Sequence, residues 1–490
     1  MKLLNCCLSV ILVLTIGFTA MGQQKLTLAQ CRMLALQHNQ KLQMAQENVE
    51  SATALRKAAF TQFFPDFGFT GGYTHATKML NLLNENQYLP VVPYTAIGAN
   101  GELDPGKLGP NDIVINPVTH QPVLDKNGNP VFQKYAYLPK DGFSLDLRNI
   151  YLLNFGMTQP IFTGGKILNL YKSAKIMEKI AWSTRSMEVS ELLYKVDESY
   201  WRIISIKEKV KLAEQYQGML KKLLFDLENY QKEGIVIDND LLKVRVKVNE
   251  TELSLLKANN GLTLSKMALC QMIGLPLDAL IDLNDSLLSS DIRMNQEDLT
   301  GEALNNRAEM SILKNNLSLA DAGVNIMKSR FLPDIGLTAN YGWMNPSPYS
   351  GFSKEFEGDF NVGIACKIPL WHWGERIHTL HAAQHEKKVS ELKLDETREM
   401  ISLQIRQAQY QYMESLKKIE LTERSLNQAK ENLRVTDDKF SEGMIKTSDV
   451  LEAQTMWQKA YMENIDALTE LKINDTYLKK TSGELQKENK

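Results

Sequence analysis

Two stretches of this chain are written twice. Phe63-Phe64-Pro65-Asp66-Phe67-Gly68-Phe69-Thr70 returns as Phe331-Leu332-Pro333-Asp334-Ile335-Gly336-Leu337-Thr338, 268 residues later. Pro160-Ile161-Phe162-Thr163-Gly164-Gly165 returns as Pro369-Leu370-Trp371-His372-Trp373-Gly374 at a spacing of 209. That spacing also carries Glu233-Gly234 onto Glu442-Gly443, Asp240-Leu241-Leu242 onto Asp449-Val450-Leu451, and Gly274 onto Gly483. An ordered series at fixed spacing marks a duplicated fold. The copies run over 23–274 and 298–483, joined by a linker at 275–297 and followed by a polar tail at 484–490. They differ by one insertion of 59 residues between Tyr73 and Pro160. Residues 74–142 hold eight of the 15 prolines, with turn signals at Asp104-Pro105-Gly106 and Asn127-Gly128-Asn129-Pro130. This reads as a long surface loop with room for a small hairpin. Its counterpart in the second copy is the short Asn345–Gly351.

Each copy also contains an unusually long helix. Lys166 to Lys232 has no proline and one glycine, Gly218; Glu375 to Glu442 has neither. Apolar residues recur at steps of three and four, as in Ile401, Ile405, Ala408, Tyr412, Leu416, Ile419, Leu426, Ala429, Leu433 and Phe440. An unbroken helix of that length spans roughly 100 Å. Each ends at a glycine, Gly234 or Gly443, and a second helix returns from about Asp240 or Asp449.

Four segments alternate with period two and so predict strands with one apolar face. Phe67, Phe69 and Tyr73 oppose Asp66, Gly68, Thr70 and Thr74; Tyr151, Leu153, Phe155 and Met157 oppose Asn154, Gly156 and Thr158. Ile335, Leu337, Ala339, Tyr341 and Trp343 oppose Asp334, Gly336, Thr338, Asn340 and Gly342. Phe360, Val362, Ile364, Cys366 and Ile368 oppose Asp359, Asn361, Gly363, Ala365 and Lys367. Aromatic-rich apolar faces backed by small polar ones suit strands between lipid and a wet lumen. Two hairpins cannot close a barrel in lipid, where open edges leave unpaired backbone groups. Several chains must contribute: a dimer would supply eight strands and a trimer 12, and the residues alone leave both open.

Met1-Lys2, the apolar run Leu8–Ala20 and small residues at Ala20 and Gly22 read as a secretory signal peptide over 1–22. No later stretch is apolar enough to cross a bilayer as a helix. Cys6 and Cys7 fall within the leader, and Cys31, Cys270 and Cys366 are expected to be buried free thiols. With 56 Lys+Arg against 58 Asp+Glu, the chain has no basic stripe to suggest a nucleic-acid partner. His378, His381 and His385 share one helix face, with His372 nearby, but lack a convincing ligand partner and read as a solvated face rather than a metal site. No phosphate loop, nucleophile elbow or zinc signature is present, so neither cofactor nor catalysis is expected.

The repeated Phe/Leu-Pro-Asp approach to a strand, the Pro-Ile/Leu-Phe/Trp-x-x-Gly exit and Glu442-Gly443-Met444-Ile445-Lys446-Thr447-Ser448-Asp449-Val450-Leu451-Glu452-Ala453-Gln454 resemble the TolC-like outer-membrane factor family. The resemblance covers nearly all of the chain after the leader. It implies a mainly α fold with a transmembrane β-barrel. Four strands per protomer would make 12 in a homotrimer, and long coiled-coil helices would form a periplasmic α-barrel. It implies an outer-membrane exit duct for a tripartite efflux pump or type I secretion, docked to a periplasmic adaptor that links to an inner-membrane pump.

By the same resemblance, Asp240, Asp449 and Glu452 line the closed periplasmic entrance. Asp449-x-x-Glu452 reads equally as a capping box, with Asp449 as N-cap. Some members carry an arginine where this sequence has Ile445, followed by Lys446, a departure from an ionic latch. Gly234, Ile235, Val236, Gly443, Met444 and Ile445 would form the adaptor-docking tips, and Trp371 and Trp373 a membrane-interface belt. The rival reading is a periplasmic coiled-coil adaptor or scaffold with a soluble β-domain.

Overall fold

The repeat spacing reappears in the elements of the computed structural model, which describes residues 24–234, 237–287 and 299–486. The first copy holds α1 (Leu28–His38), α2 (Gln40–Thr61), α3 (Lys166–Lys232) and α4 (Asp238–Ile273). The second holds α5 (Leu299–Asn306), α6 (Ala308–Ser329), α7 (Glu375–Ser441) and α8 (Thr447–Ser482). Helices α3 and α7 are each 67 residues long, α4 and α8 each 36, and α2 and α6 each 22. The return helices begin two residues before Asp240 and Asp449. The strands are β1 (Gln24–Leu26), β2 (Asp66–His75), β3 (Leu80–Asn81), β4 (Gln87–Pro90), β5 (Tyr135–Leu138), β6 (Ser144–Leu145), β7 (Asn149–Phe162), β8 (Ile281–Leu283), β9 (Asp334–Asn345) and β10 (Glu357–Lys367). The expected leader at 1–22, Ile235 and Val236, residues 288–297 of the linker and 487–490 of the tail lie outside the described residues.

The chain divides into two compact units that cut across the repeats: Gln62–Gly164 with Leu332–Leu370, and the remainder. In the helical unit, α4 packs on α3, α3 on α8 and α8 on α7. The N-terminal part of α3 packs instead on α2 and α6, and α6 packs on α7. The stripe read from the sequence is the buried one: Ile401, Ile405, Ala408, Tyr412, Ala429 and Leu433 are all buried.

The largest core gathers around the middle of α3, where Tyr200, Ile203, Leu212, Cys31, Cys270 and Ile273 are enclosed. Strand β8 pairs in parallel with β1, so residues read as linker bury Ile281, Leu283 and Leu287 in this core. Asp197 is fully buried and accepts from Arg32 Nε at 2.8 Å and Thr476 Oγ1 at 3.2 Å, tying α1, α3 and α8 together. Tyr200 donates to Asp285 Oδ2 at 2.7 Å. Burial, helped by Asp285, Cys270 and Asp197, pushes the Cys31 thiol up to about 12, so it is an inert core group.

The other unit is built on an antiparallel sheet in the order β10-β9-β7-β2. Its register aligns Phe360, Tyr341, Phe155 and Phe69 in one cross-strand row and Val362, Ala339, Met157 and Phe67 in the next. The four apolar faces expected separately therefore form one face. Most of it is open: Phe69 is 64% exposed, Phe360 62% and Ile364 72%. Cys366 lies on this face and is exposed, which corrects the expectation of a buried thiol. On the opposite face, Asn340 Nδ2 donates to Asn361 Oδ1 at 3.3 Å. A Cβ on Gly156 would stand 2.7 Å from Asn340 Oδ1, which accounts for glycine there.

The insertion is more ordered than a loop. Past His75 and Asn149 the β2–β7 pairing continues outward through β3–β6 and β4–β5 with a one-residue shift in register, forming a broken two-stranded ribbon. Residues 91–134 cap it around a small core of Ala96, Ile113 and Phe132. Proline and turn residues hid the pairing, because the ladder is made in pieces of two to four residues.

The return helices end alike. Gly274 (φ +77°) and Gly483 (φ +82°) cap α4 and α8 in the left-handed region, and each backs onto the junction at the end of its copy's short first helix, α1 or α5. A Cβ on Gly274 would meet His38 Cβ at 2.3 Å; one on Gly483 would meet Asn306 Cβ at 2.9 Å. Gly218, inside α3, has open space around it. Gly274→Ala is expected to lower the thermal midpoint of the purified protein. Gly218→Ala should raise stability by about 1 kcal/mol, the ordinary gain for alanine in a helix interior.

Candidate functional site

The residues singled out at the hairpin tips are positioned by two helix stops. Helix α7 ends in a paired cap: Gly443 N–H donates to Phe440 O at 2.9 Å and Met444 N–H to Lys439 O at 2.9 Å. This arrangement needs the left-handed Gly443, at φ +72°. Gly234 repeats the glycine bond at φ +76°, donating to Gln231 O at 3.0 Å. Beneath the turns lies a small core of Leu223, Leu227, Leu241, Val244 and Val450. Val450 belongs to the second hairpin and the others to the first, so the tips are packed together. Phe440 and Tyr230 meet edge-on at 6.5 Å.

The tip residues divide into two classes. Gly234, Gly443 and Met444 are exposed, Met444 by 68%. Ile445 is half-buried against the tip core, so it supports the turn rather than standing free. Ile237, at the head of α4 and the last apolar residue of the Gly234-Ile-Val-Ile-Asp turn, is 66% exposed.

The three carboxylates fall in the first turns of the return helices, in unequal surroundings. Asp240 is the third residue of α4 and pairs with Lys243 Nζ at 3.0 Å. Asp449 is the third residue of α8, not its N-cap; that position is Lys446. Its Oδ2 accepts from Lys446 N–H at 3.2 Å, and Ser448 Oγ donates to Oδ1 at 3.2 Å. Asp449 thus acts from inside the helix on the cap backbone, the acidic half of a capping box. Glu452 is exposed and without a partner among the described residues. It occupies the repeat position of Lys243, so the first tip carries a neutralised pair where the second carries two acids.

Trp371 and Trp373 are 73% and 86% exposed and meet edge-on at 6.1 Å. Trp373 sits at φ +45°, where the first copy has Gly164 at φ +60°. A tryptophan in the left-handed region carries backbone strain that glycine would avoid. His378, His381 and His385 are exposed on α7, and no group of three or more metal-ligating side chains gathers among the described residues. No described helix is long and apolar enough to cross a membrane.

A further signal escaped the sequence reading. Helix α4 exposes Leu242, Val246, Leu253, Leu256 and Leu264 along one stripe, and α7 exposes Val389, Leu392, Met400, Leu403, Tyr410 and Met413. Helix α8, as long as α4, exposes Met456 and Met462. The stripes lie on the two helices at the flanks of the packing order α4-α3-α8-α7. Counting a second apolar stripe per helix, beyond the core-facing one, would have found them.

Residues 299–484 match the outer membrane efflux protein family. The match spans the second repeat. The chain is 24% identical over 321 residues to the alkaline protease secretion protein AprF of Pseudomonas aeruginosa, a match covering 64% of this chain and 65% of AprF, just under two thirds of the relative's length. It is 21% identical over 346 residues to the outer membrane protein TolC of Escherichia coli, covering 68% of this chain and 69% of TolC. The outer-membrane channel OprN superposes with a TM-score of 0.71 over 93% of this chain and 89% of OprN, at 15% identity, a likeness of fold. The chain therefore shares the protomer fold of such outer-membrane channels.

The unequal tips give a direct test. Asp449→Ala removes an acceptor for the cap N–H and a charge favoured at a helix N-terminus, and should cost about 0.5–1 kcal/mol in denaturant unfolding. Glu452→Ala should change stability by less than about 0.5 kcal/mol.

Proposed function

We propose that this chain is the outer-membrane exit duct of an export system, a passive conduit that extends into the periplasm. The observation that carries the reading is the register of the sheet, which joins four apolar strand faces into one exposed face. Water would leave that face uncovered, whereas hydrocarbon covers it and confines wet groups such as Asn340 and Asn361 to the other side. The exposed and strained Trp373, beside Trp371, suits a retained interfacial anchor.

The duplication supports closure into a ring. Within the chain, strand β7 of the first copy pairs with β9 of the second, and α3 packs on α8. In repeat terms β7 corresponds to β10 and β9 to β2, while α3 corresponds to α7 and α8 to α4. The free edges β10 and β2, and the striped flanks α7 and α4, are thus unused versions of seams the chain already makes. Head-to-tail repetition of one seam closes a ring. Three copies give the 12-stranded homotrimeric barrel of the family. Lipid surrounds the barrel, and the tips, with exposed Met444 and Ile237, face a periplasmic adaptor coupled to an inner-membrane pump. The relative named for alkaline protease secretion favours type I secretion over drug efflux as the system served.

Asp449 and Glu452 act in this reading as the charged lining of the periplasmic entrance, while Lys243 neutralises Asp240 locally. A ring of fixed carboxylates holds cations and resists the passage of anions.

Two experiments test the proposal. The protein should leave the outer-membrane fraction only with detergent and migrate as a trimer. Recovery as a freely soluble periplasmic protein would favour the adaptor or scaffold reading instead. In planar bilayers, Asp449→Ala combined with Glu452→Ala should raise single-channel conductance and weaken cation preference; unchanged values would reduce these residues to helix-cap roles.

A further inference from the structure

The ribbon grown from the insertion has exposed apolar residues that its own chain leaves uncovered: Leu82 is 59% exposed, Tyr88 63% and Leu89 50%. Its two strands differ in position. The β5–β6 strand continues β7, which lies inside the sheet; the β3–β4 strand continues β2, which is the free edge. On the inner side the base of the ribbon, in the turn between β6 and β7, already meets the β9–β10 loop of its own chain, level with Met79 and Leu80 on the outer strand. Asp146, just past β6, takes Lys354 Nζ at 2.7 Å and Arg148 Nε at 2.7 Å, and Phe356 lies 6.0 Å from Tyr151. These two hydrogen bonds hold the Asp146 carboxyl well below the usual carboxylate range. The β7–β9 seam therefore carries, at its outer end, a contact between ribbon and loop.

We infer that the outer strand of the ribbon, around Leu80 and Leu82, docks on the β9–β10 loop of a second copy of this chain. The argument is continuity. The seam between copies joins β10 of one to β2 of the next, by the repeat relation above. The loop 346–356 leaves β10 at the same end at which β3 and β4 leave β2. A ribbon that runs on from β2 must then pass the neighbour's loop, as its other strand passes its own. That loop presents Tyr349, 73% exposed, and Phe352, 38% exposed, as an apolar surface for it. One copy of the ribbon per chain, with no counterpart in the second repeat, gives each subunit one such clasp. The inference rests on the ring reading of the preceding section and adds a contact that the duplicated sheet and helices do not supply.

The test places the photo-crosslinker p-benzoylphenylalanine in the full-length chain in its membrane, at Leu80 and, separately, at Thr70 in the edge strand β2. The expected result is an adduct between two copies at both sites, with the Leu80 adduct mapping by mass spectrometry to residues 346–356. An inter-copy adduct from Thr70 with none from Leu80, or one from Leu80 to its own chain, to lipid or to another protein, overturns the clasp and leaves the ring intact. No inter-copy adduct from either site overturns both. As a second measurement, replacing residues 79–144 by a short turn should lower the temperature at which the trimer dissociates in dodecyl sulfate; an unchanged temperature overturns the clasp.

Discussion

A backbone amide or carbonyl that faces hydrocarbon has no water to turn to, and leaving one unpaired costs several kcal/mol. In the proposed duct, the four-stranded sheet stands between two demands. Its apolar face calls for lipid, and its free strands β2 and β10 forbid lipid until they are paired. Neither demand can be met by one copy. The duplication resolves the conflict cheaply, because the surface needed to pair an edge is one the chain already makes at β7–β9. The same holds for the helices, where the α3–α8 packing is the pattern for joining the flanks α7 and α4.

A duplicated chain also makes its departures from symmetry informative. Where the copies agree, as in the lengths of α3 and α7 or the caps at Gly274 and Gly483, the shared feature serves the scaffold. Where they differ, scaffold needs do not explain the difference. Lys243 pairs with Asp240 in one tip, and Glu452 stands at its position beside Asp449 in the other. Gly164 turns freely where Trp373 is held under strain. A short loop in the second copy faces a ribbon of some seventy residues in the first. Each difference falls at an end, at a tip or at a boundary of the sheet, where a duct meets something other than itself.

The architecture was legible because its signals are long-range and redundant: fixed spacings, alternation over whole strands, and helices without breakers. What was missed depends on partners distant in sequence or on short elements. Strands β1 and β8 are three residues each and gain stability only by pairing across more than 250 positions, so residues 275–297 read as a linker. The ribbon is stitched from fragments punctuated by proline. Asp449 was displaced by three residues from its expected cap role because Lys446, an unlikely capping residue by chemistry, takes the extended N-cap conformation. The exposed stripes on α4 and α7 were overlooked for a different reason. An apolar residue left exposed has the same letter as one bound for the core, and only the folded chain separates them.

The distribution of burial within the helical unit bears on how a duct of this kind can open. Its middle is held by the largest core and by Asp197, a fully enclosed charge satisfied by Arg32 and Thr476 from two other helices. Separating those helices would strand a buried charge, a penalty of about 3–5 kcal/mol before any apolar surface is exposed. At the tips the core is small, the interhelical ion pairs such as Arg245–Glu228 and Lys221–Glu252 are exposed, and each such pair is worth less than about 1 kcal/mol. Local stability therefore falls from the middle of the helices to their ends. In the proposed duct, a partner docked on Met444 and Ile237 would rearrange the tips by displacing a handful of side chains, while the girdle at Asp197 keeps the rest of the unit in place.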